Sequence, residues 1–143
     1  MRNLLPKEYE IILVGQKEKW YQPLPEGITD ISRTENQREL AEMYADADVL
    51  INTTYEDNFP TVNLEALACG TPVITYRTGG SPEAIDEKTG VVVEQGDTAA
   101  LATAIREMRT TPLSSSDCRL RAERLWDKDK CFEQYVRLYD DLL

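Results

Sequence analysis

Histidine is absent from all 143 residues of the chain. That absence removes imidazole acid–base catalysis, Ser–His–acid triads and histidine metal ligands. Cysteine is scarce, and Cys69, Cys118 and Cys131 show no metal-ligand spacing. An odd count, with no secretory signal ahead of the first strand, reads as free thiols in a reducing, cytoplasmic setting. No apolar run approaches the roughly 20 residues that a membrane-crossing helix needs, so direct membrane insertion is not expected. Basic residues are outnumbered, 16 Lys and Arg against 26 Asp and Glu, for a formal net charge of −10. That balance argues against nucleic acid or an anionic membrane surface as a partner. Repeats and low-complexity tracts are missing too. What remains reads as one domain over 1–143, large enough to bury a sizeable core.

What is present alternates between apolar runs and helical patterns. Glu10 to Gly15 reads as a buried parallel strand ending in glycine. Ile28 to Ile31, Val49 to Thr53, Pro72 to Tyr76 and Gly90 to Glu94 read as further strands. Leu40, Met43, Tyr44 and Ala47 fall at helical spacing behind two rival caps, Thr34 and Asn36. Pro60 suits the first position of a helix running to about Cys69. Ser81, as cap, opens another short helix with Pro82 and Glu83. Asp97 caps a helix with Leu101, Ile105 and Met108 on one face. The C-terminal region, 111–143, reads as two helices split near Asp127. The last carries Phe132, Tyr135, Val136, Tyr139 and Leu142 as an apolar stripe expected in the core. Strands alternating with helices predict an α/β domain with a Rossmann-like parallel sheet flanked by helices. Ligands of such sheets bind at the carboxyl ends of the strands. Gly15-Gln16, Asp57 to Thr61 and Thr78-Gly79-Gly80 are placed there.

The run from Tyr55 to Ile74 is the most informative. A polar loop bearing Glu56 and Asp57 turns into a helix at Pro60, and Cys69-Gly70-Thr71-Pro72 leads into an apolar strand. A site for a nucleotide diphosphate needs backbone amides and positive helix ends aimed at phosphate. The amides of Thr61 and Val62 head one helix, and Gly79-Gly80 precedes another. Glu65, one turn into the first helix, is suited to a vicinal diol because a carboxylate accepts two hydrogen bonds. Each piece alone has a bland reading. A Gly-Gly pair is usually a turn, and an acid early in a helix usually complements the dipole. Their order and spacing carry the argument.

Asp57 and Glu65, separated by seven residues and followed by Ala66-Leu67-Ala68-Cys69-Gly70-Thr71-Pro72-Val73-Ile74, resemble the nucleotide-sugar signature of family 4 retaining glycosyltransferases. These have the GT-B fold, and the resemblance is to the C-terminal, donor-binding half of enzymes that build bacterial surface polysaccharides. It covers about residues 9 to 109. It implies that Glu65 binds ribose and that Asp57 lies by the transferred hexose. The amides of Asn58, Phe59, Thr61 and Val62 then lie near hexose and phosphates. Ser32, Arg33 and Thr34 cradle the nucleobase, with Gly15 at the neighbouring strand end. Gly79, Gly80 and Glu83 match a Gly-Gly-x-x-Glu element. The donor is a nucleotide-diphosphosugar, with neither metal nor cofactor.

The sequence departs from that family in two places. The first acid is Asp57 where the family has glutamate, with Glu56 beside it, and the sequence leaves open which faces the sugar. The family's first strand–loop–helix unit, with its diphosphate-clamping arginine and lysine, has no counterpart before Ile11, and the acceptor domain is missing too. The expectation is therefore a domain truncated at its N-terminus and inactive alone. Its partner would be the missing acceptor domain or a separate acceptor subunit. Interior strand edges would be left open. Either the flanking strands close over the gap, a second chain fills it (self-association included), or the edges stay poorly ordered. Rival readings are a nucleotide-sugar-binding subunit of a split enzyme, or a sensor.

Other signals are discounted. Asp46-Ala47-Asp48 mimics a metal-binding Asp-x-Asp but reads as a helix-to-strand turn. The sequon Asn52-Thr53-Thr54 falls in a buried strand. Cys69 reads as a packing residue. Lys17, Arg33 and Arg77 read as solvated cations.

Overall fold

The computed structural model describes residues 1–15 and 23–142. Gln16 and Lys17 lie outside them. The strands are β1 (Ile11–Val14), β2 (Ile28–Ile31), β3 (Leu50–Asn52), β4 (Val73–Tyr76) and β5 (Gly90–Val93). The helices are α1 (Gln37–Asp46), α2 (Thr61–Ala68), α3 (Thr98–Thr110), α4 (Ser115–Leu125) and α5 (Lys128–Leu142). Every strand pair is parallel. Helices cover both faces of β4, as the alternation predicted, so the α/β class holds.

The sheet is divided. Among the described residues, β1 pairs only with β2, while β3, β4 and β5 form a separate three-stranded sheet in that order. Closure of β1 onto β3 is therefore not what the structure shows. Ile11 and Ile51 pack on one apolar cluster, but from strands that share no ladder.

β4 is the centre of the molecule, and all four of its residues are buried. Its alternation sorts them by face. Ile74 and Tyr76 join Leu101, Ile105 and Met108 of α3. Val73 joins Ala66 and Leu67 of α2 and Cys118 and Ala122 of α4. The N-terminal segment is stapled to α3. Leu5 enters the first cluster, Arg106 donates to the Leu4 carbonyl at 3.0 Å, and Arg109 stacks over Tyr9 at 4.8 Å.

Caps explain most boundaries. Asn36, not Thr34, caps α1, accepting the Glu39 amide at 3.0 Å. Asp97 caps α3 through Ala100 at 2.8 Å, and Ser114 caps α4. Asp127 accepts from Lys130 at the head of α5. Two expectations need correction. Ser81 does not cap: it is the first residue of a 3-10 turn, Ser81–Ala84, whose cap position is Gly80. Its hydroxyl is buried and has no partner among the described residues. The α5 stripe is not core. Phe132, Tyr135, Val136, Tyr139 and Leu142 are 59–74% exposed, because no other described element packs over that face.

Candidate active site: a carboxylate loop against a glycine turn

The site is built around the amino end of α2. Pro60 stands before the helix, not in it. Its ring holds φ at −70°, but ψ of 113° keeps it extended, so Thr61 is the first helical residue. No side chain caps this end. The first-turn amides of Thr61 and Val62 have no intrahelical acceptor, and both residues are exposed. A buried amide pair sets the helix on the end of β3. Asn52 Nδ2 donates to Asn63 Oδ1 at 2.9 Å, and Asn52 Oδ1 accepts from the Thr54 amide and hydroxyl. The sequon asparagine is thus a buried brace, 5% exposed.

The two acids of the loop differ in surroundings. Asp57 is half-buried, and its Oδ1 accepts the Phe59 amide at 3.1 Å. Glu56 is exposed. The Phe59 amide is thereby committed inside the loop, as an Asx-turn, which leaves the amides of Asn58, Thr61 and Val62 as the donors without an acceptor among the described residues.

The glycine turn packs on this loop. The Gly80 amide donates to the Asn58 carbonyl at 2.8 Å. A Cβ at Gly79 would sit 1.8 Å from the Asp57 carbonyl oxygen, and one at Gly80 would sit 2.4 Å from that of Asn58. Gly79 also adopts φ of +45°. The pair is therefore glycine so that two loops can touch, and the Gly80 amide is spent on that contact. Thr78 Oγ1 and Gln95 Nε2 both donate to the Tyr55 carbonyl at 2.7 Å, closing the other side of the loop.

Several supporting residues carry no sequence signal. Phe59 packs against Trp126 at 6.4 Å, and Arg121 lies over the Trp126 ring at 5.2 Å. Arg121 also donates to Asp86 at 2.6 Å and to the carbonyls of Glu83, Ala84 and Ile85. It locks the segment after the glycine turn. Burial works against the Asp86 carboxylate, but bonds from Thr89 and Lys88 and the Arg121 guanidinium outweigh it and lower its pKa. Tyr44, half-buried on α1, donates its hydroxyl to Glu65 Oε2 at 3.1 Å. Burial first, then the Glu65 carboxylate, push that phenol well above its usual range. Helical spacing had marked Tyr44 only as a core-face residue.

The remaining residues lie on the other sheet or away from the loop. Gly15 ends β1 with φ of +83°, and its amide donates to the Ile31 carbonyl. Ser32, Arg33 and Thr34 follow β2, the first two exposed. Among the described residues, no hydrogen bond links this group to the loop of Asp57. Arg77 is paired with Glu94 at 2.8 Å. Burial raises the Cys69 thiol pKa, partly offset by Arg119. Two cavities of about 330 and 300 Å³ lie elsewhere, the second lined by Asp46, Asp48, Cys69 and Arg109. Asp46 ends α1 and Asp48 precedes β3, so this Asp-x-Asp sits at the edge opposite the site. No group of residues among those described is arranged to hold a metal ion. No helix among them is long and apolar enough to cross a membrane.

Comparison with known proteins agrees with this architecture. Sucrose-phosphate synthase from Thermosynechococcus elongatus superposes with a TM-score of 0.78 at 24% identity, over 99% of this chain and 47% of that one. Anabaena HepE, solved in complex with UDP-glucose, gives 0.68 at 21% identity, over 80% and 32%. In sequence, a D-inositol 3-phosphate glycosyltransferase of Streptomyces avermitilis is 37% identical over 94 residues, 63% of this chain and 20% of the relative. An N-acetyl-alpha-D-glucosaminyl L-malate synthase of Bacillus anthracis is 34% identical over 112 residues, 75% and 29%. The chain thus spans less than a third of the length of these two relatives. The pattern described as glycosyl transferases group 1 matches residues 1–110. With most of its length inside that match, and with parallel strands flanked by helices as in GT-B enzymes, the chain belongs to the glycosyl transferases group 1 family.

Proposed function

We propose that this chain is the donor-binding domain of a retaining, metal-independent glycosyltransferase. It would move a hexose from a nucleotide-diphosphosugar to an acceptor hydroxyl, in polysaccharide or glycoconjugate synthesis. The observation that carries this is the uncapped head of α2. Two open amides face the end of the sheet where the acidic loop lies, and Glu65 stands one turn below them. Positive helix ends stabilise phosphate, and the same field would stabilise a departing diphosphate. Glu65 then receives the ribose hydroxyls. Glu56 or Asp57 would lie by the hexose, and the half-buried, hydrogen-bonded Asp57 is the better held of the two. The chemistry asked of the protein is positioning and electrostatics, without a strong side-chain base. The names of the relatives support sugar transfer.

Transfer itself requires an acceptor-binding partner, either a further domain or a separate subunit. The exposed stripe of α5, from Phe132 to Leu142, offers it an apolar surface. The chain by itself is expected to bind donor without transferring sugar.

Calorimetric titration with UDP, GDP and ADP in EDTA tests the reading. One nucleotide is expected to bind without metal, and Glu65→Ala is expected to weaken it at least about tenfold. Equal binding by the variant would remove Glu65 from the site. Binding that required a divalent cation would overturn metal independence.

A further inference from the structure

Glu65 is an exposed side chain on a helix, and an exposed glutamate samples several rotamers. A carboxylate that is to receive a vicinal diol has to hold its plane, because both bonds depend on the same orientation. A strut is present. The Tyr44 hydroxyl donates to Glu65 Oε2 at 3.1 Å across 21 residues of chain.

The strut is itself held at both ends. Its ring packs against the apolar cluster that includes Ala66 and Leu67 of α2. Its carbonyl accepts the Thr71 hydroxyl at 2.5 Å and the Ala47 amide at 3.1 Å. Thr71 is 2% exposed and stands in the turn that ends α2. Tyr44 therefore ties α1 to both α2 and the turn that follows it. Its phenol stays protonated across the physiological range, so it acts only as a donor to the carboxylate. One donated bond occupies one acceptor position and leaves the others free. Glu65 Oε1 has no partner among the described residues.

We propose that Tyr44 is a positioning residue for ribose recognition, fixing the Glu65 carboxylate in the orientation that receives the two hydroxyls. This rests on the reading of Glu65 given above. The competing account is a plain tie between helices, which supports the scaffold without regard to ligand. The two differ in what they do to a nucleotide that has no ribose hydroxyls.

The test titrates wild type, Tyr44→Phe and Glu65→Gln with UDP, GDP and ADP and with their 2′,3′-dideoxy forms. Tyr44→Phe keeps the ring and its packing, and thermal melts check that each chain is folded. With the nucleotide that binds, Tyr44→Phe is expected to lose about fivefold in affinity, the worth of one such hydrogen bond. With its dideoxy form, Tyr44→Phe and wild type are expected to bind alike. An equal loss for both forms would mean a scaffold role and overturn the proposal, as would no loss for either. If Glu65→Gln abolishes the preference for ribose while Tyr44→Phe keeps it, the proposal falls and the reading of Glu65 stands. If wild type shows no preference for ribose, or binds none of the three nucleotides, the reading of Glu65 falls and takes the proposal with it.

Discussion

β1 and β4 look alike as sequences and differ as structures. One reads Ile-Ile-Leu-Val and the other Val-Ile-Thr-Tyr, both short apolar runs leading to a glycine-bearing loop. All of β4 is buried, between β3 and β5 and under helices on both faces. In β1 nothing is buried, and Ile12 and Val14 are 51% and 42% exposed. The local pattern asked for a doubly covered parallel strand in both cases. Only one received that cover. An apolar run states what a strand needs, and the neighbours decide whether it gets it.

The largest expected effect tests this contrast directly. Ile74→Ala empties a fully enclosed position and should cost about 4 kcal/mol. Ile12→Ala, on the open strand, should stay within about 0.5 kcal/mol. Chemical denaturation of both variants measures the gap, and similar costs would mean that β1 is covered in solution.

The glycines offer a second pair. Gly79 has φ of +45° and a backbone carbonyl 1.8 Å from the site of a Cβ. Gly79→Ala should cost about 3 kcal/mol and part the glycine turn from the acidic loop. Gly15 has φ of +83°, and no heavy atom of the described residues lies within 4 Å of where a Cβ would sit. Gly15→Ala carries only the backbone cost, about 1 kcal/mol. Melting curves distinguish them, and amide exchange at Gly80 reports whether the loops have parted.

The ion pairs make the smallest contrast. Arg121–Asp86 is 14% and 34% exposed, whereas Lys7–Glu26, beside the β1–β2 sheet, is 90% and 87% exposed. Arg121→Ala should cost about 2 kcal/mol, through lost bonds to carbonyls and carboxylate. Lys7→Ala should change nothing measurable. The pH dependence carries a sign. Asp86 is lowered in the folded state, so its contribution is complete above the unfolded carboxylate value near ~4 and is lost as pH falls through the lowered value. Acid titration should therefore narrow the difference between wild type and Arg121→Ala. A difference that held constant to the most acidic point would exclude the pair as its source.

The same contrast marks how far the sequence could be read. Element order and most boundaries were legible because they rest on neighbouring residues. Asp97 caps through its own side chain, and Pro60 bars the backbone before it from continuing as helix. The acidic loop and Glu65 were legible because Pro60 and the helical run after it place one just before α2 and the other one turn inside it. Tyr44, Arg121, Trp126 and the Asn52–Asn63 brace were not. Each acts on a residue between 11 and 67 positions away, and no local pattern encodes a partner at that distance. The role of Gly79 and Gly80 was visible only in part. A pair of glycines announces a close approach, but not to what.

From the sequence alone came the alternation of strand and helix, the lack of imidazole chemistry and the line of acids leading into α2. These follow from periodicity, composition and the steric habits of proline and glycine, all of which act over a few residues. The tertiary structure alone decided that the sheet is divided, that the α5 stripe is bare, that the glycine turn closes on Asp57 and Asn58, and that a tyrosine from another helix holds Glu65. Those outcomes depend on which surfaces meet, and the chain expresses that only once it is folded.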